Sequence, residues 1–457
     1  MARKVLISFL GTGPKGNLGK EKAERAYRPA IYHFGEGVEI CTSFIADAIV
    51  QKYKIDSIIL LGTTHSMWEC VYEVFCNNTN QLIDDDYYLE LADYCDNANS
   101  RSNLMIPHQE NVEKILGNNS HVVLLKYGIT EDEIRENISI VLGLEKYLND
   151  KDELIVDITH SFRSLPLYIM NLLLYLKNVS SKKIKISKIC YGMLDATDEF
   201  GYTPVVSLDG IMEVQDWITG AYNFTQYGNT YILSRLLNND TSGNYVRIAN
   251  AIKKFADVKN LNYLKEFRSG IGSLSVLTDK NNLPELGKEV IAPIMEKFTK
   301  RFPESLDQST FQFRMAEWHC SHYNYGFALT VLIEAIVSYC CEINYSYLKK
   351  DNKDDFEYAI NNKECRDLIK DALNKTYSDD NDYKAEVENT SNRLRIHFGF
   401  FNANSSYDEV LARWKITNTD RNNIVHNNRG GRPYEIIITD LKKNIQFFKI
   451  FLDRTQK

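Results

Sequence analysis

The amino-acid sequence predicts an α/β domain with a mostly parallel, doubly wound sheet, followed by an all-α region. Three observations carry that reading. Short apolar runs alternate with helix-patterned stretches as far as about Gly210, as strands joined by crossover helices do. Beyond Gly210 the strand signals stop and helical spacing takes over. No fixed-period repeat and no low-complexity linker interrupts either part. We therefore expect one domain over residues 1–209, a helical connector over 210–303 and a second helical domain over 304–457.

The elements follow in order. Val5 to Leu10 is a short apolar run ending in glycine, a first strand. Val38 to Tyr53 sets Cys41, Ile45, Ala48 and Ile49 at helical spacing. Ser57 to Gly62 is a second strand, and Ser66 to Phe75 reads as a helix. Asn77 to Gln109 is polar and rich in Asp, Asn and Tyr, and reads as an insertion or a short helix between loops. Val122 to Leu125 resumes the strand pattern. Thr130 and Glu133 have capping-box spacing, and the helix they open runs to about Leu148. Leu154 to Asp157 is the next strand. Pro166 then sits where a first-turn proline is tolerated, opening the apolar helix Leu167 to Leu176. Ile184 to Tyr191 and Pro204 to Leu208 are later strands. Helices are expected over 217–237, 245–255, 261–268, 284–298, 325–341, 356–372 and 440–451, with a loop over 376–391.

At 457 residues, 44% hydrophobic and 25% charged, the chain can bury ordinary cores in two or three domains. The Val5–Leu10 run is too short for a signal-peptide core. No stretch approaches the uninterrupted apolar length of a membrane span. The expectation is a cytoplasmic protein that engages no membrane. The nine cysteines are scattered with no Cys-x-x-Cys, which fits reduced thiols better than structural zinc. A net charge of -7 argues against non-specific coating of duplex DNA. It leaves room for a local basic cleft. Arg393, Arg395, Arg413, Lys415, Arg421, Arg429 and Arg432 crowd one C-terminal stretch, although a solvated face is the plainer account of such a run.

Ligands of open α/β sheets bind beyond the carboxyl ends of the strands, and three loops stand there. Gly11, Thr12, Gly13 and Lys15 follow the first strand. Their backbone could approach a phosphate and Lys15 could add charge. The motif is neither a Walker A sequence nor a full GxGxxG, so for this loop alone a tight turn is the better account. Thr63, Thr64, His65 and Ser66 follow the second strand, either as ligand donors or as a helix N-cap. The third loop gathers Thr159, His160, Ser161 and Arg163 between a buried strand and a proline-started helix. Arg163 could clamp a phosphate bidentately, and the helix N-terminus favours anionic charge. Alternatively, Asp157 is a structural cap and Arg163 a surface ion pair, but the density of donors favours ligand binding.

Arg421 and His426 stand five positions apart near the C-terminus. Breaking RNA without a metal needs the 2′-hydroxyl to attack the adjacent phosphate. An imidazole that titrates near neutrality can move the protons, and a guanidinium can stabilise the phosphoryl oxygens. Positions i and i+5 do not share a helix face, so one of the two is expected where a helix begins or bends. On spacing alone, a capping arginine and a surface histidine is the better account. His319 and His322 read as an aromatic cluster with partly exposed histidines rather than a metal pair. Glu334 lies inside an apolar run and calls either for a buried partner, with Arg421 a candidate, or for an exposed position.

Four segments together resemble a known family. They are Leu10-Gly11-Thr12-Gly13, Ile58-Ile59-Leu60-Leu61-Gly62-Thr63, Asp157-Ile158-Thr159-His160-Ser161-Phe162-Arg163-Ser164-Leu165-Pro166, and Arg421-x4-His426. They resemble the CRISPR-associated Csx1/Csm6-type proteins, in their TM1812-like branch. The third segment is similar to the family's Asp-x-Thr-His-Gly-Phe-Arg, with Ser161 where glycine is usual. That departure could alter the loop backbone or add a hydroxyl contact. In this family a Rossmann-like CARF sensor domain, here 1–209, precedes a helical HEPN ribonuclease domain, here 304–457.

The resemblance implies homodimers, open to further assembly. It implies that paired CARF domains bind a cyclic oligoadenylate, usually the tetramer in Csx1-like members and the hexamer in some Csm6-like ones, as an allosteric activator and with no cofactor. Gly11, Thr12, Gly13, Lys15, Thr63, Thr64, Ser66, Thr159, His160, Ser161 and Arg163 would line that site. It implies a metal-independent endoribonuclease acting on single-stranded RNA, with Arg421 and His426 of each subunit in one composite site. The products would be a 2′,3′-cyclic phosphate and a 5′-hydroxyl. Some CARF domains also cleave their ligand, which the Thr63–Ser66 loop could serve. One alternative is a non-catalytic CARF sensor or transcriptional regulator, though no convincing helix-turn-helix is visible. Another is a nicotinamide- or nucleotide-dependent Rossmann enzyme, against which the incomplete glycine motif argues.

Overall fold

The computed structural model describes residues 2–12, 29–35, 37–160, 164–240, 245–348, 360–377, 379–401, 407–426 and 431–452. The chain forms two compact units, 1–212 and 213–457.

Unit one is built on a sheet that has eight strands among the described residues. They are β1 (Lys4–Phe9), β2 (Ala30–His33), β3 (Glu39–Thr42), β4 (Ser57–Gly62), β5 (His121–Leu124), β6 (Glu153–Asp157), β7 (Lys185–Gly192) and β8 (Thr203–Ser207). The order is β3-β2-β8-β7-β6-β1-β4-β5. The run from β7 to β5 is entirely parallel. β8 turns antiparallel on β7, β2 pairs parallel with β8, and β3 closes the edge antiparallel. β1 and β4 are buried on both faces, which is why they read as unbroken apolar runs. From β1 the chain builds outward to β4 and β5 on one side and later to β6 and β7 on the other. The strand order therefore reverses between β1 and β6, the topological switch point at which such sheets bind ligands.

Helices cover both faces. On one face α1 (Ile45–Tyr53), α2 (Trp68–Asn78), α3 (Asp85–Asn97) and α4 (Gln109–Leu116) pack with Leu6, Ile58, Leu60, Val122 and Leu124. On the other, α5 (Glu131–Leu142) and α6 (Leu165–Asn178) pack with Val5, Ile7, Ile59, Leu61 and Val156. Alternating strand residues supply the two faces, as the pleat requires. Thr130 caps α5 by accepting the Glu133 N–H at 3.2 Å. A one-turn helix, α7 (Thr197–Phe200), precedes β8.

One expectation for this unit is corrected. The helix expected over 38–53 begins only at Ile45, because Glu39–Thr42 pairs with β2 as an edge strand. In the polar stretch 77–109, the second of the two readings, a short helix between loops, is the one found. α3 buries Tyr87, Leu91 and Cys95 at helical spacing, and the Tyr87 ring meets that of Tyr72 edge-on at 4.9 Å.

Unit two is helical. After α8 (Gly210–Tyr227), in which the division between the units falls, come α9 (Tyr231–Asn239), α10 (Val246–Asn260), α11 (Leu264–Leu274), α12 (Glu285–Thr299), α13 (Gln308–Ser321) and α14 (Tyr325–Leu348). They are followed by α15 (Lys363–Asn374), α16 (Asn381–Phe401), α17 (Tyr407–Val425) and α18 (Tyr434–Leu452). The single helix expected over 217–237 is broken at Gly228, whose φ of +63° and close approach to the Trp318 ring leave no room for a side chain. The loop expected over 376–391 is largely the start of α16.

α14 is the axis of the core, burying Leu329, Leu332, Ile333, Ile336, Val337 and Cys340 on nearly all sides. Glu334 and Glu342 interrupt it, so it is not the uninterrupted apolar stretch of a membrane span, although it is apolar on average. Tyr325–Asn344 has a mean hydropathy of 1.7, yet 72% of its most apolar window is buried inside the protein, as in a core helix.

Candidate functional site

At the switch point, the ends of β1, β4, β6 and β7 are cross-braced by polar bonds. Asp157 closes β6 and is fully buried. Its Oδ2 accepts the Ser8 hydroxyl near the end of β1 at 2.6 Å, and its Oδ1 accepts the Thr159 N–H at 3.0 Å and hydroxyl at 2.6 Å. The Thr159 oxygen in turn accepts the Gly192 N–H at the end of β7, at 2.7 Å. A side chain at Gly192 would meet Ile45 Cδ1 at 2.5 Å and the Thr159 side chain at 3.3 Å, so Ile45 would have to shift to admit one. Burial raises the Asp157 carboxyl, opposed by the three bonds it accepts. His160 stacks on Phe44 at 6.1 Å between ring centres. Burial lowers its imidazole, opposed by the nearby Asp157.

The loop after β4 is a second brace. Thr63, Thr64 and Ser66 are all buried. Thr64 donates its hydroxyl to the Asn103 carbonyl at 3.0 Å, and the Trp68 indole N–H donates to the Thr63 carbonyl at 2.8 Å. The Met67 N–H reaches the Gly11 carbonyl at 3.1 Å, which ties this loop to β1. The hydroxyls of Thr64, Ser66 and Thr159 thus have partners inside the fold. Their described work is to shape the strand ends. Gly11, Thr12 and His160 lie half-buried at the switch point itself. Gly13, Lys15, Ser161 and Arg163 lie outside the described residues. A cavity of about 250 Å³ opens beside Thr64, between residues 99–104 and Leu125–Tyr127 at the ends of β4 and β5.

In unit two, α17 carries Arg421 and ends at Val425, so His426 occupies the turn where the helix stops. Its N–H still donates to the Asn422 carbonyl at 2.9 Å. Arg421 Nη2 donates to Asn418 Oδ1 at 2.9 Å, one turn back on the same helix. Its Nε is buried without a hydrogen-bond partner, and among the described residues no carboxylate pairs with it. The other arginines of the stretch differ. Arg413 binds Glu409 at 2.9 Å and stacks over Phe447, Arg395 lies 3.8 Å from Asp408, and Arg432 holds Asp420 and Asp440. The basic run in the sequence is therefore not one cleft. Arg429 lies outside the described residues.

Glu334 pairs with Arg366 at 2.5 Å, not with Arg421. His319 is fully buried among Phe267, Trp318 and Phe327, so it belongs to an aromatic core but is not partly exposed. His322 bonds the Trp318 and Thr225 carbonyls at 2.7 and 3.1 Å. Sequence reasoning missed Ser8, Asn103 and Asn418 as partners of site residues. A serine inside the apolar run Val5–Phe9 was the one visible signal.

Residues 5–197 match the family described as the CARF domain of the CRISPR system endoribonuclease Csx1. Residues 5–197 therefore form a CARF domain of the Csx1 type. The matched CARF domain spans β1 to β7, and hence the switch point. Residues 213–308 match a second family, described as the second domain of CRISPR-associated protein MJ1674. The CRISPR-associated protein MJ1674 of Methanocaldococcus jannaschii is 33% identical over 359 residues, covering 74% of this chain and 54% of that protein. The chain thus spans about half the length of the curated relative it matches. Among solved structures, Enterococcus italicus Csm6 bound to cyclic hexa-2'-fluoro-hexa-dAMP aligns over 99% of this chain and 94% of that one, at 11% identity and a TM-score of 0.34. The expected α/β domain followed by helices is the architecture found.

Proposed function

We propose that this protein is a cyclic-oligoadenylate-activated endoribonuclease of CRISPR defence, with its sensor in unit one and its nuclease in a HEPN-like part of unit two. The observation that carries the reading is the conjunction of a Csx1-type CARF domain with Arg421, which has no acid partner among the described residues, beside His426 at the end of α17. An arginine already paired with a carboxylate is neutralised. One held only by the neutral amide of Asn418 keeps its charge for a phosphate.

In this reading the RNA 2′-hydroxyl attacks the adjacent phosphorus. His426 takes or returns the proton, and Arg421 stabilises the charge growing on the phosphoryl oxygens. A 2′,3′-cyclic phosphate and a 5′-hydroxyl result, and no metal takes part. Two copies of the chain would pair, since one Arg–His pair per subunit suits a shared two-fold site and a symmetric ring suits a two-fold pocket. The ring, cyclic tetra-adenylate in the first instance, would activate by binding one arrangement of the dimer better than another. The protein would act in the cytoplasm.

The test is cleavage of a fluorescent single-stranded RNA in EDTA, with cyclic tetra-adenylate, cyclic hexa-adenylate or neither. Ring-dependent cleavage by the wild type that His426→Ala abolishes, with ring binding retained, is the expected result. Arg163→Ala should instead weaken ring binding and activation. A protein that binds a ring but never cleaves would be a sensor with another output, and the nuclease assignment would fall.

A further inference from the structure

The end of α17 holds a second arginine arrangement, distinct from the Arg421–His426 pair. Asp420, the residue before Arg421, is buried, with its side chain 3% exposed. Arg432, twelve positions later, returns to it with two bonds, Nε to Oδ1 at 3.1 Å and Nη2 to Oδ2 at 2.5 Å. The remaining nitrogen, Nη1, donates to Asp440 Oδ2 on α18 at 2.8 Å. One guanidinium therefore spans two carboxylates on two helices, using the planar fork that only arginine offers. His426 lies in sequence between these anchor points, beyond the last turn of α17, and its described bond is the N–H to Asn422.

We propose that Arg432 is a positioning residue for His426. Its bonds fix position 432, six residues after the imidazole, against the helical turn that presents Arg421, which limits how far the two groups can part. The proposal rests on the ribonuclease reading for its consequence, although not for its geometry. Arg432 does not meet substrate, since both edges of its fork are occupied by acids. This sets it apart from Arg421, next door to Asp420 in sequence. Positioning matters because a misplacement of ~1 Å of a reacting group costs on the order of a hundredfold in rate.

The experiment uses the full chain with histidine isotope labelling, so that the His426 imidazole is followed by NMR and identified by its loss in His426→Ala. Arg432→Gln is compared with Arg432→Lys. The double variant Asp420→Asn/Arg432→Gln leaves no lone buried carboxylate and guards against simple misfolding. We expect Arg432→Gln to shift the His426 resonance. It should also lower kcat for ring-activated RNA cleavage by about ten- to a hundredfold, with KM changed less than about twofold. Arg432→Lys should restore only part of this. An unmoved His426 signal in a folded Arg432→Gln or double variant would overturn the proposal, whether or not the protein cleaves RNA. Wild-type protein that fails to cleave with any ring would instead sink the nuclease reading, while the His426 signal still decides the positioning role.

Discussion

The Ser66 hydroxyl stands between two backbones, donating to the Leu10 carbonyl at 2.9 Å and accepting the Thr63 N–H at 2.9 Å. It latches the exit of β4 to the exit of β1. Ser66→Ala would leave a buried donor and a buried acceptor unmet, at about 2 kcal/mol. We expect an earlier urea transition for unit one, followed through Trp68, whose indole bonds Thr63 in the same loop. An unchanged midpoint would mean that the latch contributes nothing.

His319 is buried with both ring nitrogens lacking hydrogen-bond partners. Burial, then the charges of Lys259 and His322, lowers its imidazole from 6.5 to about 3. The unfolded chain therefore binds a proton that the folded one refuses. Stability is fully present above pH 6.5 and is lost as pH falls toward 3, by up to about 5 kcal/mol. His319→Leu should flatten unit two's melting temperature across that window and leave it equal or higher at pH 7. A steep acid loss that survives the substitution would assign the effect elsewhere.

Glu342 works in the opposite sense. Its carboxyl accepts the Ser309 N–H at 2.9 Å and hydroxyl at 2.5 Å, and burial lifts it from 4.5 to about 7. The folded state holds the proton more tightly, so its contribution is fully present below pH 4.5 and is lost as pH rises through about 7, roughly 3 kcal/mol in all. Glu342→Gln keeps an acceptor for Ser309 while removing the titration. Its denaturation midpoint should gain on the wild type between pH 5 and 8, and equal midpoints at both ends of that range would contradict this.

Glu334 gives a functional control. Its partner Arg366 also bonds Ser338 and the Ile360 carbonyl, at 3.0 and 2.8 Å, inside the α14 core. Glu334→Gln should therefore leave ring-activated RNA cleavage within about twofold of wild type, while lowering stability by at most about 1.5–3 kcal/mol, the range for a charged hydrogen bond. A large loss of kcat with unchanged melting would tie Glu334 to Arg421 after all.

The parallel strands were legible because burial on both faces demands unbroken apolar residues, as in Val5–Phe9 and Ser57–Gly62. β2 and β3 were not, because each is four residues long and neither shows an unbroken apolar run. α3 was hidden because three inward residues among thirteen are enough to dock a helix whose other faces are solvated. Site residues were legible as types but not as pairings. Nothing local links Asp157 to Ser8, 149 positions away, or Glu334 to Arg366, 32 positions away. The run of C-terminal arginines looked uniform, and only the acids that reach them in three dimensions separate the neutralised Arg413 and Arg432 from Arg421.

The central place of β1 also bears on the order in which the chain can be made. Val5 is in register with Ser57 on one side and Leu154 on the other. At ordinary synthesis rates the sixth strand reaches its first only after roughly 8–30 seconds of elongation. For that interval the buried strand Val5 to Phe9 has one flank unpaired, and it could recruit a neighbouring nascent chain on the same message. Whatever shields that flank until β6 arrives would keep such pairing from competing with the native sheet.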